Sequence, residues 1–126
     1  MIQQIGQVML YMEDQDRALR FWRDKVGFAV VSEMDQGEGL RWIEIAPQAG
    51  AQTTFVLQNK KWVEQYEPDL NTGTPSILFY SDNVDGLYAS FQEKGITVGD
   101  LVEMAGSRVF NFADDENNYF AVIEKR

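Results

Sequence analysis

Apolar residues run from Ile5 to Met12 with Gln7 as the strongly polar interruption, and Glu13-Asp14 ends the run, which predicts a mostly buried strand. A change of period follows. Ala18, Phe21, Trp22 and Val26 recur at helical spacing, Asp14 is placed to cap the first turn, and Gly27 stops the helix. Three extended stretches come next, Phe28 to Asp35, Leu40 to Ala46 and Thr53 to Gln58. Turn residues at Gln36-Gly37-Glu38-Gly39 and from Pro47 to Gln52 separate them, so the first half reads βαβββ. The polar segment Asn59 to Thr74, with Pro68 and Gly73, suits a connector with room for a short helix around Val63.

The second half repeats this order. Pro75 to Ser81 reads as a strand, and Val84, Leu87, Tyr88 and Phe91 mark a helix face that ends at Gly95. Strands at Val98 to Met104, Arg108 to Ala113 and Tyr119 to Glu124 complete the unit, with Asp114 to Asn118 as a solvated hairpin turn. An offset of 69 residues brings Gln7 onto Ser76, Asp16 onto Asp85, Trp22 onto Phe91 and Lys25 onto Lys94. Matching helix ends within the same element order favour duplication over chance likeness between amphipathic helices. A ferredoxin-like or dimeric barrel domain is the alternative for such an order, but it does not call for a third consecutive strand after each helix. The expected fold is therefore α+β, with two βαβββ modules, about 1–60 and 75–126, in a single domain spanning 1–126.

Composition removes whole classes of chemistry. The chain has no cysteine and no histidine, so Cys/His zinc sites, thiol nucleophiles, Ser-His-Asp triads and imidazole acid/base catalysis are excluded. A formal charge of −9, with no basic run longer than Lys60-Lys61, argues against nucleic acid as a partner. No apolar run approaches the roughly 18 residues of a membrane-spanning helix, and the opening Met1-Ile2-Gln3-Gln4 lacks a basic leader. A soluble, cytoplasmic protein is expected, and the absence of disulfides fits a reducing compartment. No dinucleotide or P-loop fingerprint occurs. The acidic turn Asp114-Asp115-Glu116 lacks the ligand spacing of a calcium loop.

Several residues stand out as candidates for a site. Glu44 shares a strand face with Trp42 and Ala46, opposite Ile43 and Ile45. If that face lines a cleft, an apolar setting raises the pKa of Glu44 and suits it to acid/base work; otherwise it is a solvent-facing charge. Gln7, with Met9 and Tyr11 on its face, either joins Tyr11, Ser76 and Tyr80 in orienting a ligand by hydrogen bonds or satisfies neighbouring backbone groups. Arg108, Phe110 and Phe112 form a same-face stripe. It can take an anionic or aromatic ligand, or it is core packing with an arginine paired to a carboxylate.

The ordered set of segments resembles the glyoxalase/bleomycin-resistance, or vicinal oxygen chelate, superfamily across nearly the whole chain. VMLYMEDQDRALRFWRDKVGF is similar to that family's strand, acidic turn, aromatic-bearing helix and terminal Gly-Phe, and LRWIEIAPQAGAQTTFVL to its following hairpin. PSILFYSDNVDGLYASFQEKGI and VFNFADDENNYFAVIEK resemble the second module. The family's Asp-Pro-Asp-Gly-Asn turn is here Asp114-Asp115-Glu116-Asn117-Asn118, where Asn117 can adopt the left-handed conformation that glycine supplies. The resemblance implies modules whose sheets curve around a cleft, pairing into a homodimer, and metal ligands at Gln7, Val56, Ser76 and Ala121. Val56 and Ala121 cannot bind a metal, and neither can their immediate neighbours Phe55, Leu57, Phe120 and Val122.

The leading expectation is a protein that binds a small organic molecule in an aromatic-lined groove, with no metal and no cofactor. The alternative is a glyoxalase-like lyase or isomerase, in which Glu44 abstracts a proton beside a carbonyl and Gln7 or Arg108 steadies the enolate. A third reading makes the Asn59 to Thr74 connector a contact for a protein partner.

Overall fold

The computed structural model of the chain describes residues 1–125, which form two compact units, Met1–Thr74 and a second beginning at Pro75. In the first unit the order is β1 (Gln7–Met12), α1 (Gln15–Arg20) running into a π-helical turn (Phe21–Val26), β2 (Ala29–Asp35), β3 (Arg41–Ala46), β4 (Thr54–Asn59) and α2 (Lys60–Tyr66). The second unit has β5 (Leu78–Ser81), α3 (Val84–Glu93), β6 (Val102–Met104), β7 (Ser107–Ala113) and β8 (Tyr119–Glu124). Each unit builds one four-stranded mixed sheet, ordered β1-β4-β3-β2 and β5-β8-β7-β6. The two orders are the same path through equivalent strands. In each, the first strand pairs in parallel with the last and every other pairing is antiparallel. No helix among the described residues is long and apolar enough to cross a membrane.

Strand alternation decides what each sheet buries. On β1 Leu10 and Met12 are buried while Gln7 is exposed, and on β3 Ile43 and Ile45 are buried while Trp42 and Glu44 are partly open. The buried set meets α1, where Ala18, Phe21 and Trp22 point inward. Asp14 caps this helix by accepting from the Arg17 amide at 3.0 Å. Its last turns widen, and the Trp22 carbonyl accepts from both the Gly27 amide at 3.0 Å and the Phe28 amide at 2.8 Å. Wider winding turns the chain less per residue, so the adjacent Phe21 and Trp22 share the sheet-facing side. Gly27, at φ 94°, ends the segment in a conformation that a side chain would strain. Gln15 is buried with them, and its Nε2 donates to the carbonyls of Arg41 (2.7 Å) and Leu57 (2.9 Å), tying α1 to β3 and β4.

The duplication shows in the side chains as well as in the path. Phe91 on α3 is buried against Phe110 (5.9 Å between ring centroids) and Phe112 (5.1 Å), as Trp22 is against Phe55 (6.1 Å). Arg41 pairs with Asp16 at 2.6 Å in the first unit, and Arg108 pairs with Asp85 at 3.0 Å in the second. Both arginines stand near the start of the third strand of their sheet, and both aspartates lie in the first turn of the preceding helix.

Two sequence expectations need adjustment and a third is met. The strand expected over Val98 to Met104 is interrupted: Val98 makes one isolated bridge to Phe112, and regular pairing resumes only at Val102. Gly99 at the break gives its amide to the Asn111 carbonyl at 2.8 Å. The connector carries the short helix expected around Val63, over Lys60–Tyr66 and capped by Asn59. The Asp114 to Asn118 turn is not merely solvated. Asp114 is buried, and its carboxylate accepts from the amides of Glu116 and Asn118 at 2.9 Å each, while Asn117 takes the left-handed φ of 63°.

Candidate functional site

In each unit the helix covers one face of the sheet, and the residues of opposite parity form the other, called open because that helix does not cover it, although Thr54, Val56 and Ala46 on the first sheet and Ser107 and Val109 on the second are themselves buried. The register fixes who meets whom on the first sheet. Gln7 lies beside Thr54, Met9 beside Val56, and Val56 in turn beside Glu44, which pairs on its far side with Ser32. Glu44 therefore stands in the middle of the open face.

Its carboxylate is held by neutral donors. The Thr54 hydroxyl donates to Oε2 at 2.7 Å and the Ser32 hydroxyl to Oε1 at 3.0 Å. These contacts correct the expected chemistry of Glu44. The Thr54 hydrogen bond, with further help from Ser32 and Gln7, holds its pKa below the ordinary glutamate value despite the opposing effect of burial. An apolar surround was expected to raise it; hydrogen bonding to the charged form lowers it instead. The hydrogen bonds thus favour the anionic form of Glu44.

A titration follows from this. The folded-state pKa lies below the unfolded one, so the stabilisation from Glu44 is fully present above the unfolded value and is lost as pH falls through the folded value. Carbon-detected NMR of the Glu44 carboxyl is expected to show a midpoint below that of a free glutamate, and Thr54→Val is expected to move it upward. A midpoint at or above the ordinary value, unmoved by that substitution, contradicts this assignment.

The rest of the face is soft and amphipathic. Burial pushes the Tyr11 phenol upward, with the charge of Glu67 adding to it, so Tyr11 stays a neutral hydrogen-bond donor and acceptor. The amide of Gln58 donates to the Met9 thioether at 3.2 Å. At one end of β3 a groove of about 220 Å³ opens between Met34, Gln36, Leu40 and Trp42. Met34 and Trp42 are cross-strand partners, one pair along from Glu44 and Ser32 by same-face count.

On the second sheet, Tyr80 stands 72% exposed, with Leu78 on the same face. Both help line a groove of about 360 Å³ with Ser107 and Ile123. Ser76 precedes the strand and is exposed. Arg108, Phe110 and Phe112 are not on this open face. Phe110 and Phe112 are each 1% exposed and pack beneath α3, and Arg108 is engaged with Asp85 of that helix. The stripe is core plus a helix tether, because its parity matches the helix-covered side of β7.

The positions that the resemblance assigns to metal ligands do not make a donor set. Val56 is fully buried hydrocarbon, and Ala121 lies opposite Leu78 with no donor atom in its side chain. No group of three Asp, Glu, His or Cys side chains among the described residues is arranged to hold an ion.

Ser32 and Thr54 were missed in the sequence, although they decide the state of Glu44. Thr54 sits in the fourth strand with the parity that faces Glu44, a usable signal once the antiparallel register is known. Ser32 is hidden by an irregularity between Val30 and Ser32, which inserts Val31 and breaks the two-residue period.

The family model of the Glyoxalase/Bleomycin resistance protein/Dioxygenase superfamily matches residues 4–122. The uncharacterised protein YetH of Bacillus subtilis is 33% identical over 98% of this chain and 100% of its own length. Two solved structures are similar along nearly their whole length. TnmS3, an antibiotic-binding protein from Streptomyces sp. CB03234, shares 26% identity with a TM-score of 0.82, covering 99% of this chain and 98% of its own. A superfamily member from Sphaerobacter thermophilus DSM 20745 shares 27% identity with a TM-score of 0.84, covering 98% of both chains.

Proposed function

The chain belongs to the glyoxalase/bleomycin resistance protein/dioxygenase superfamily, and from that premise we propose that it binds a small organic molecule against its open sheet faces without using a metal. The observation that carries this reading is the make-up of the first open face: hydrocarbon at Val56 where a ligand atom would be needed, beside an aromatic and thioether groove at Trp42 and Met34. Gln7, Tyr11 and Glu44 supply polar groups that orient a guest, and Tyr80 offers a second aromatic surface. The likeness to an antibiotic-binding protein supports the same class of function. Exposed apolar residues on the second sheet, Leu78, Tyr80 and Met104, are compatible with self-association, and the reading includes a cytoplasmic homodimer.

The alternative, a lyase or isomerase acting beside a carbonyl, draws less support. Its base would be Glu44, whose hydrogen bonds stabilise the anion and weaken it as a proton acceptor.

Calorimetric and thermal-shift screening of aromatic antibiotics and apolar metabolites tests the proposal. At least one chemical class is expected to bind with saturable, micromolar affinity that survives dialysis against EDTA. Silence across a broad library, or binding abolished by chelation and restored by a transition metal, counts against it.

A further inference from the structure

Glu44 is the ionised side chain at the centre of the first sheet's open face, and its neighbours there are neutral. Ser32 and Thr54 bind it as hydroxyls, Tyr11 and Gln7 are uncharged, and no ion pair reaches it among the described residues. The arginine of the same strand, Arg41, is of opposite parity and is occupied by Asp16 and Glu33 at 2.6 and 3.3 Å. A carboxylate offers about four lone-pair directions, and the two hydroxyls and the Gln7 amide use one each, so one acceptor direction is left over. Two residues along the strand, roughly 7 Å away, Trp42 and Met34 form one wall of the groove described above.

We infer that this face selects organic cations: a protonated amine or quaternary ammonium takes the free side of Glu44, while an attached aromatic or apolar body lies in the Trp42–Met34 groove. The inference rests on the small-molecule reading of the same face and names the ligand class. Three features support it together. Glu44 is pre-positioned by donors that cannot neutralise it, the indole of Trp42 is attractive to a cation as well as to an apolar body, and the net charge of −9 draws cations towards the protein. An anionic guest would meet an uncompensated carboxylate.

The test uses the full chain and three soluble probes of one shape: 2-phenylethylamine, 2-phenylethanol and phenylacetate, titrated at neutral pH and followed by calorimetry and tryptophan fluorescence. The amine is expected to bind about tenfold or more tightly than the alcohol, as a charge-assisted hydrogen bond allows, and phenylacetate most weakly. Glu44→Gln is expected to weaken the amine far more than the alcohol, so that the roughly tenfold gap between them closes, with its fold checked by circular dichroism. Should that variant fail to fold, the order of the three probes on the unsubstituted protein decides. Equal binding of amine and alcohol, or a preference that persists in Glu44→Gln, overturns the cation inference and leaves small-molecule binding standing. If none of the three binds, the cation inference falls; failure of the broader library as well removes the binding reading.

Discussion

Trp22→Ala is expected to lower the free energy of unfolding by about 3–5 kcal/mol, the largest loss from any single side chain in the first unit. Trp22 is wholly buried, and its ring meets Phe21 at 5.5 Å, Phe28 at 5.0 Å and Phe55 at 6.1 Å between centroids. These neighbours come from the π-helical turn, the segment leading into β2, and β4, so truncation leaves a void bounded by three elements that cannot all close on it. For a chain of this size the loss corresponds to a fall in Tm on the order of 10–20 °C. Urea unfolding followed by circular dichroism measures it; a loss below about 1 kcal/mol would mean that the site collapses freely and that Trp22 does not organise this core.

Phe112→Ala is expected to cost a similar amount, about 3–5 kcal/mol, and the comparison with Tyr80→Ala gives it its value. Phe112 contacts Phe91 at 5.1 Å, Phe120 at 5.6 Å and Phe79 at 6.2 Å, joining α3 to β5 and β8. Tyr80, on the open face, is mostly in water, and its removal is expected to change stability by no more than about 0.5 kcal/mol. If Phe112 were a ligand-facing residue, the two variants would behave alike in the melt. Paired thermal melts at one protein concentration separate the cases.

The architecture was legible because the chain switches cleanly between periods. Leu10 and Met12 alternate with Met9 and Tyr11, Phe21, Trp22 and Val26 do not, and glycines at 27 and 95 close both helical stretches. The offset that superposes Trp22 on Phe91 points to the repeat that the identical strand orders display. The site was legible only in part. Alternation pairs Glu44 with Trp42 but is silent on which face a helix will cover, and the same ambiguity misplaced Arg108, Phe110 and Phe112. The state of Glu44 depends on partners from two other strands, Thr54 and Ser32, and cross-strand register is a non-local property. Val31, inserted by the irregularity in β2, shifts the parity that would have revealed Ser32.

The parallel pairing of β1 with β4 also sets the order in which the first unit can assemble. β2, β3 and β4 follow one another through short turns, so their antiparallel pairs close small loops and form early. Gln7 meets Thr54 only after a helix and two strands have been laid down between them. A β4 that has paired with β3 but not yet with β1 would offer its other flank's amides and carbonyls to any extended chain. The parallel β1–β4 seam is thus the place where the first unit is most open to pairing with a second chain.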